Sequence, residues 1–281
     1  MAVNKKYIIG IDVGGSKIIA ALIKNVKIIR SIKISTLKNR KEFLEKLEIL
    51  VRKVISDISD KTALSVGCGV AGVLDLEKGV ILNAPNLRFL NNFNIKNWLT
   101  EKFNCEVKVD NDARCFTRGE YLYGAGRGYK NIIGITFGTG IGGGIIINGK
   151  MFYGANYSAG ELGHMILNLK SPARGEARQG RQNSNLKNYD WEFLTLRQTK
   201  NLEENLGIGF ANIINILDPE IIVVGGGASG VLRLLPKARK VTNKFIISPK
   251  SKKNVKILMG KLGENAGALG AAALFYESSK P

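Results

Sequence analysis

The stretch KYIIGIDVGGSKIIAALI, Lys6 to Ile23, decides the fold. Two isoleucine-rich runs, Lys6–Asp12 and Lys17–Ile23, flank Gly14-Gly15, and β-prone runs joined by such a turn predict a hairpin. A third strand is predicted at Val26–Ile34. The period then changes: Phe43, Leu44, Leu47, Val51, Val54, Ile55 and Ile58 share one helical face, predicting a helix over Lys41–Ile58. Leu64–Val73 and Val80–Leu82 read as strands, and Asn83-Ala84-Pro85-Asn86 as a break. A helix at Ile95–Phe103 and a strand at Glu106–Asp110 follow. Strands mixed with helices in this order predict an α/β protein with a mixed sheet.

After Asp110 the pattern restarts. Ala113–Tyr123 reads as a helix stopped by Gly124, a residue suited to a left-handed cap. Strands at Asn131–Phe137 and Gly143–Asn148 flank a second glycine turn. A repeated hairpin of this kind points to an internally duplicated architecture. Asn168–Asp190 is polar, basic and without period, and reads as a long loop. Leu202–Leu217 is a buried helix ended by Asp218-Pro219. Glu220–Val224 and Val255–Met259 are strands, Val231–Asn243 is a helix, and Ala266–Phe275 a final helix of small residues.

Three glycine turns stand at strand ends: Asp12 to Lys17, Phe137 to Gly144, and Val223 to Ser229. Consecutive glycines let backbone amides approach an anion, and a carboxylate such as Asp12 suits Mg²⁺, which keeps much of its water. The first turn lacks the helix that a GxxxxGK phosphate loop requires. Three such turns together favour a nucleotide over plain hairpin chemistry. Asp110, Asn111 and Asp112 sit between a strand end and a helix start. Asp112 there reads either as a proton acceptor or as an N-cap, and Asp110 either as a site residue or as a strand terminator. His164, the sole histidine, lies three residues after Glu161, so both can face one ligand. Asn156 and Ser158 add groups of the kind that read a polyol.

Length and composition narrow the class. The chain has 281 residues, 44% hydrophobic, with 33 glycines, enough for one large or two small domains. The glycines from Gly134 to Gly144 interrupt its most apolar stretch, so no membrane span is expected. Cys68, Cys105 and Cys115 form no CxxC pair, and no signal peptide is visible, which points to the cytoplasm. The formal charge of +19 comes from scattered lysines, with only Lys250–Lys256 resembling a cluster, and no base-reading motif accompanies them. Nucleic acid is therefore not an expected partner.

The motifs DVGGSK, PNL, DNDA, GEYLYGAGRG, GTGIGGGIIINGK, GANYSAGELGHM and IIVVGGG, in that order, resemble the ROK family of sugar kinases. The resemblance runs through nearly the whole chain. It implies a two-lobed actin-like ATPase (ribonuclease H-like) fold with a mixed sheet in each lobe. Residues 1–111 with 265–281 would form a small lobe and 112–264 a large one, with the active site between them. It implies ATP, Mg²⁺ and a hexose, glucose at its 6-hydroxyl, with fructose or an N-acetylhexosamine as alternatives. Asp112 would be the base. Gly72, Asn86, Asn111, Glu161, His164 and Glu192 would bind sugar. Asp12, Gly14, Gly15, Ser16, Lys17, Gly138, Thr139, Gly140, Gly226 and Gly227 would bind the nucleotide, Asp12 holding Mg²⁺. The family's cysteine cluster after the histidine is missing, so no structural zinc is expected, and Trp191-Glu192 stands where the cluster's following glutamate would be. Family repressors carry a DNA-binding region ahead of this body, and DVGGSK starting at residue 12 leaves no room for one. A non-catalytic sugar-binding module is the remaining rival. A homodimer or larger homo-oligomer is expected.

Overall fold

The computed structural model describes residues 7–58, 64–167, 190–192, 195, 201–227 and 233–276. Both predicted hairpins form. β1 (Tyr7–Val13) pairs antiparallel with β2 (Lys17–Lys24), and β2 with β3 (Lys27–Ser35). β9 (Ile132–Phe137) pairs antiparallel with β10 (Ile141–Ile147), and β10 with β11 (Lys150–Met151). β4 (Leu64–Val70) lies parallel to β1, with β8 (Glu106–Asn111) parallel to β4. Likewise β12 (Ile221–Gly225) lies parallel to β9, with β13 (Lys256–Met259) parallel to β12. The two sheets, β3-β2-β1-β4-β8 and β11-β10-β9-β12-β13, therefore repeat one strand order. A small third sheet joins β5 (Val73–Asp75), β6 (Val80–Asn83) and β7 (Phe93–Asn94).

Each sheet has its own core. On the first, Ile9, Ile11 and Val66 pack with Phe43, Leu47 and Val51 of α1 (Arg40–Val54), whose first turn is capped by the Asn39 side chain. α2 (Ile95–Phe103) adds Leu99 to this core. On the second, Phe137, Trp191 and Phe210 meet edge to face beneath α4 (Leu202–Leu217). α5 (Leu235–Phe245) and α6 (Pro249–Asn254) precede β13.

Two helices fill the space between the sheets: α3 (Asp112–Tyr123) and α7 (Ala266–Ala272). Gly10 of β1 and Gly67 of β4 lie so close to α7 that a Cβ at either would overlap the carbonyl oxygen of Ala268 or Ala271. These glycines serve close approach and not flexibility. α3 packs on α7 on one side and on β9 and β10 on the other.

Several boundaries differ from expectation. α1 ends at Val54, and Ile58 is buried without being helical. The strand expected through Val73 breaks at Gly72, whose φ of +135° turns the chain into β5. Gly124 has a φ of −116° and is no left-handed cap. The turn there is held instead by the buried Glu120, whose carboxylate accepts the amides of Ala125, Lys261 and Leu262. The second hairpin's return strand starts earlier, at Ile141, and the helix expected from Val231 is seen from Leu235, residues 228–232 lying outside the described set. The final helix tightens to 3₁₀ over Ala273–Phe275. The loop expected at Asn168–Asp190 lies outside the described residues except for Asp190. Among the described residues no helix is long and apolar enough to cross a membrane.

Candidate active site

The three glycine turns meet. Ser16 Oγ lies 2.9 Å from Thr139 Oγ1, joining the turn after β1 to the turn after β9. Gly15 faces both Thr139 and Asn86, where a Cβ would come within 3.0 Å of the Asn86 Cβ. Asn86 thus stands beside the first turn. Gly226 has a φ of +102° and is backed by the carbonyl oxygen of Phe137, which brings the third turn onto the second. Gly138 and Gly227 have open space where a Cβ would stand, so their backbones face outward unobstructed.

Two carboxylates stand close by. Asp12 is the next-to-last residue of β1, with its carboxyl against Gly267 of α7. Burial, then the charge of Asp112, pushes it up to about 7, against the pull of Lys17. Asp112 opens α3, and burial pushes its carboxyl up to about 6. The Ala113 amide opposes that rise, the charge of Glu161 adds to it, and Arg114 opposes it. Asp112 is not the helix cap. Asn111 takes that role, its Oδ1 accepting from Ala113 at 2.9 Å and Arg114 at 3.1 Å. The Asn111 amide donates to the Gly72 carbonyl at 3.0 Å, so both ends of this side chain are engaged within the protein. Asp112 Oδ1 also accepts the Ala113 amide at 2.9 Å, and no bond is seen on its Oδ2 among the described residues.

The remaining expected residues divide. Glu161 is exposed, and its charge reaches Asp112. His164 is exposed and lies 3.4 Å through Nδ1 from the buried Asp190, a partner the spacing had not revealed. Glu192 Oε2 accepts the Ile141 amide at 2.9 Å and stands over Gly140, which places it on the second glycine turn. Gly14 donates to the Lys17 carbonyl at 3.0 Å, closing the first turn. Lys17 Nζ is paired with Glu264 at 2.9 Å, and Glu264 also takes Lys33 at 2.8 Å. Hydrogen bonds from these two lysines hold the Glu264 carboxyl down at about 2.

Asp110, read as a possible strand terminator, anchors a buried ion network. Its Oδ1 accepts from Arg114 Nε at 2.6 Å and its Oδ2 from Arg118 Nη2 at 3.0 Å. Arg118 also donates to Tyr153 Oη, and Arg114 Nη1 donates to the Tyr157 carbonyl at 3.0 Å. Arg114 and Arg118 lie one turn apart on α3, and Asp110, four residues earlier, ends β8 against them, so the four-residue spacing is a signal that the sequence carried.

Asp12 also fits Mg²⁺. It is a hard oxygen donor beside two amide-rich turns, and a carboxyl raised by burial gains from a neighbouring cation. Among the described residues no group of three or more His, Cys, Asp or Glu is placed to hold a metal. One carboxylate with phosphate oxygens is the usual arrangement for this ion.

The family description "ROK family" matches residues 8–185 and 187–278. A glucokinase of Thermotoga maritima is 30% identical over 316 aligned positions, covering 97% of this chain and 98% of that protein. An N-acetyl-D-glucosamine kinase of Mannheimia succiniciproducens is 32% identical over 304 positions, covering 95% and 98%. The crystal structure of a ROK family glucokinase from Streptomyces griseus in complex with glucose and AMPPNP superposes with a TM-score of 0.77. It is 27% identical and covers 95% of this chain and 98% of that one.

Proposed function

Because this chain belongs to the ROK family and is a sugar kinase, we propose that it transfers the γ-phosphoryl group of ATP to the 6-hydroxyl of a hexose, glucose first. The observation that carries this reading is the pair Asp12 and Asp112 beside joined glycine turns, with Asp112 raised to about 6. Residues 1–111 with 265–281 form one lobe and 112–264 the other. The packing of α7 on β1 and β4 supports that division.

Asp112 takes the proton of the 6-hydroxyl as its oxygen bonds to the γ-phosphorus, and the bond from that phosphorus to the bridging oxygen breaks, releasing ADP. A base whose carboxyl sits near 6 is a stronger acceptor than an ordinary aspartate and is still largely ionised at pH 7. The turns Gly14 to Lys17 and Gly138 to Gly140 hold the phosphates, the Gly14 and Gly138 amides closing each turn onto the Lys17 and Gly140 carbonyls and the later amides serving the ligand, with Gly226 and Gly227 toward the nucleoside. Positioning and charge stabilisation are the main work in such a transfer. Asp12 would hold Mg²⁺, which when bound with ATP would neutralise charge on the transferring group. Glu161 and His164 contact the sugar's other hydroxyls, and His164 is oriented by Asp190. Asn111 and Gly72 fix each other and act on the sugar by shaping its floor. Glu192 secures the second turn through the Ile141 amide.

The kinase of N-acetyl-D-glucosamine at 32% identity makes an N-acetylhexosamine the second acceptor. Three cysteines spaced far apart with no CxxC pair support a reducing cytoplasm, where the enzyme works as a homo-oligomer. ADP release measured over glucose, mannose, fructose, N-acetylglucosamine and N-acetylmannosamine tests the reading. Turnover highest with glucose is the expected result. No ADP release with any of them would sink the kinase and leave a sugar-binding module.

A further inference from the structure

Tyr157 stands on backbone that few residues with a side chain adopt, with a φ of +55° in the left-handed region. Glycine takes such a turn without penalty, whereas a ring held there signals a task. Three contacts hold it. Arg114 Nη1, from a side chain 3% exposed and fixed by Asp110, donates to the Tyr157 carbonyl at 3.0 Å. The Tyr157 ring meets the Tyr153 ring at 6.1 Å, edge on. Its hydroxyl lies 3.4 Å from Glu77 Oε1. Glu77 belongs to the turn between β5 and β6, so this contact ties the 154–160 loop to the small third sheet.

The location is informative. Arg114 lies two residues after Asp112 on α3, and Glu161, whose charge reaches Asp112, lies four residues after Tyr157. The loop pinned by Arg114 is therefore the one next to the proposed base. We infer that Tyr157 is a positioning residue for the acceptor: it closes the sugar side of the cleft by clasping Glu77. The inference rests on the kinase reading and deepens it by naming what retains the sugar. At 3.4 Å the hydroxyl stands just outside a formed hydroxyl–carboxylate bond, and a small approach of the two sides completes it. The clasp touches the rim and not the transferring phosphoryl, so it holds ground state and transition state alike. Its loss then raises KM for the sugar and spares kcat.

Tyr157→Gly suits the observed φ and so removes the ring without straining the loop, and Tyr157→Phe removes the hydroxyl alone. For Tyr157→Gly the hexose KM is expected to rise about tenfold with kcat within about twofold. For Tyr157→Phe the rise is about two- to threefold, with KM for Mg-ATP unchanged in both variants. The hexose-induced rise in Tm shrinks in the same order. An unchanged hexose KM in Tyr157→Gly, or an equal change in KM for Mg-ATP, overturns the inference, the latter by showing general loosening. A wild type that shows the hexose-induced Tm rise but releases no ADP sinks the kinase reading alone. The order of Tm rises then judges Tyr157, and equal rises in all three proteins overturn it. Absence of both signals in the wild type overturns both.

Discussion

In the first sheet the turn after β1 begins at Asp12, and β8 runs directly into Asp112. In the second sheet, built with the same strand order, the corresponding turn after β9 holds Thr139 between two glycines, and β13 ends at Met259 before Gly260. The first frame carries both raised carboxylates; the second offers hydroxyl and backbone. One architecture used twice thus separates two tasks. On the proposed reading, the acids that move a proton and hold a cation both follow strands of the first sheet, where burial makes them responsive, and the amides that take the phosphates come from the turns of both sheets and need no titratable group. These strand ends of the first sheet are accordingly the less comfortable part at neutral pH, since they bury two acids that, among the described residues, lack a basic partner at bonding distance.

The sharpest way to break this contrast is to neutralise the first half. Asp112→Asn is expected to lower turnover by about 10²–10⁴ while the hexose-induced Tm rise persists. Steady-state ADP release and thermal shift measured on one preparation check it. A variant with wild-type turnover would return the chemistry to some other group. Asp12→Asn tests the discomfort itself. Its carboxyl is raised in the fold, so the folded protein binds more protons than the unfolded chain between about pH 4 and 7. The unliganded wild type therefore gains stability as pH falls from 8 to 5. Glu264, held down at about 2, is ionised in both states from about pH 6 upward and adds only a small opposing slope near pH 5. Asp12→Asn relieves part of the strain at pH 8, roughly 1–2 kcal/mol, or a Tm rise of about 2–4 °C for a chain of this length, while activity collapses. Melting curves from pH 5 to 8 read this directly, and a lower Tm for the variant at pH 8 would contradict it.

A pH profile sharpens the same point. With Asp112 raised to about 6, kcat/KM is expected to fall about tenfold per unit below that value. An acid limb near 4, like that of an ordinary aspartate, would show that burial is not felt during turnover. The smallest effect belongs to the second half. Thr139→Val breaks the link to Ser16, and loss of one hydrogen bond of about 1 kcal/mol raises KM for Mg-ATP about fivefold with kcat little changed.

The frame was legible in the sequence because its signals are local. Gly14-Gly15 between isoleucine runs produced β1 and β2, and the apolar face from Phe43 to Val54 produced α1. Functional side chains were read from their residue types and order, and there the sequence was a poorer guide. Asn111 and Glu192 read as sugar ligands by type and order, and the sequence did not show that Asn111 also caps α3 or that Glu192 also takes the Ile141 amide. Asp190 and Glu264 find His164 and Lys17 across 26 and 247 residues, distances that no periodicity reports. The Asp110, Arg114 and Arg118 series was different: its regular spacing was visible, and only its burial was not.

The two helices between the sheets touch through glycine. A Cβ on Gly270 of α7 would overlap the Cys115 carbonyl of α3, and one on Gly119 of α3 would meet the Ala266 carbonyl of α7. Asp112 opens α3, and Gly267 of α7 backs the Asp12 carboxyl. The gap between these helices works as a caliper: its jaws are bare main chain, and its setting is the separation of the two acids.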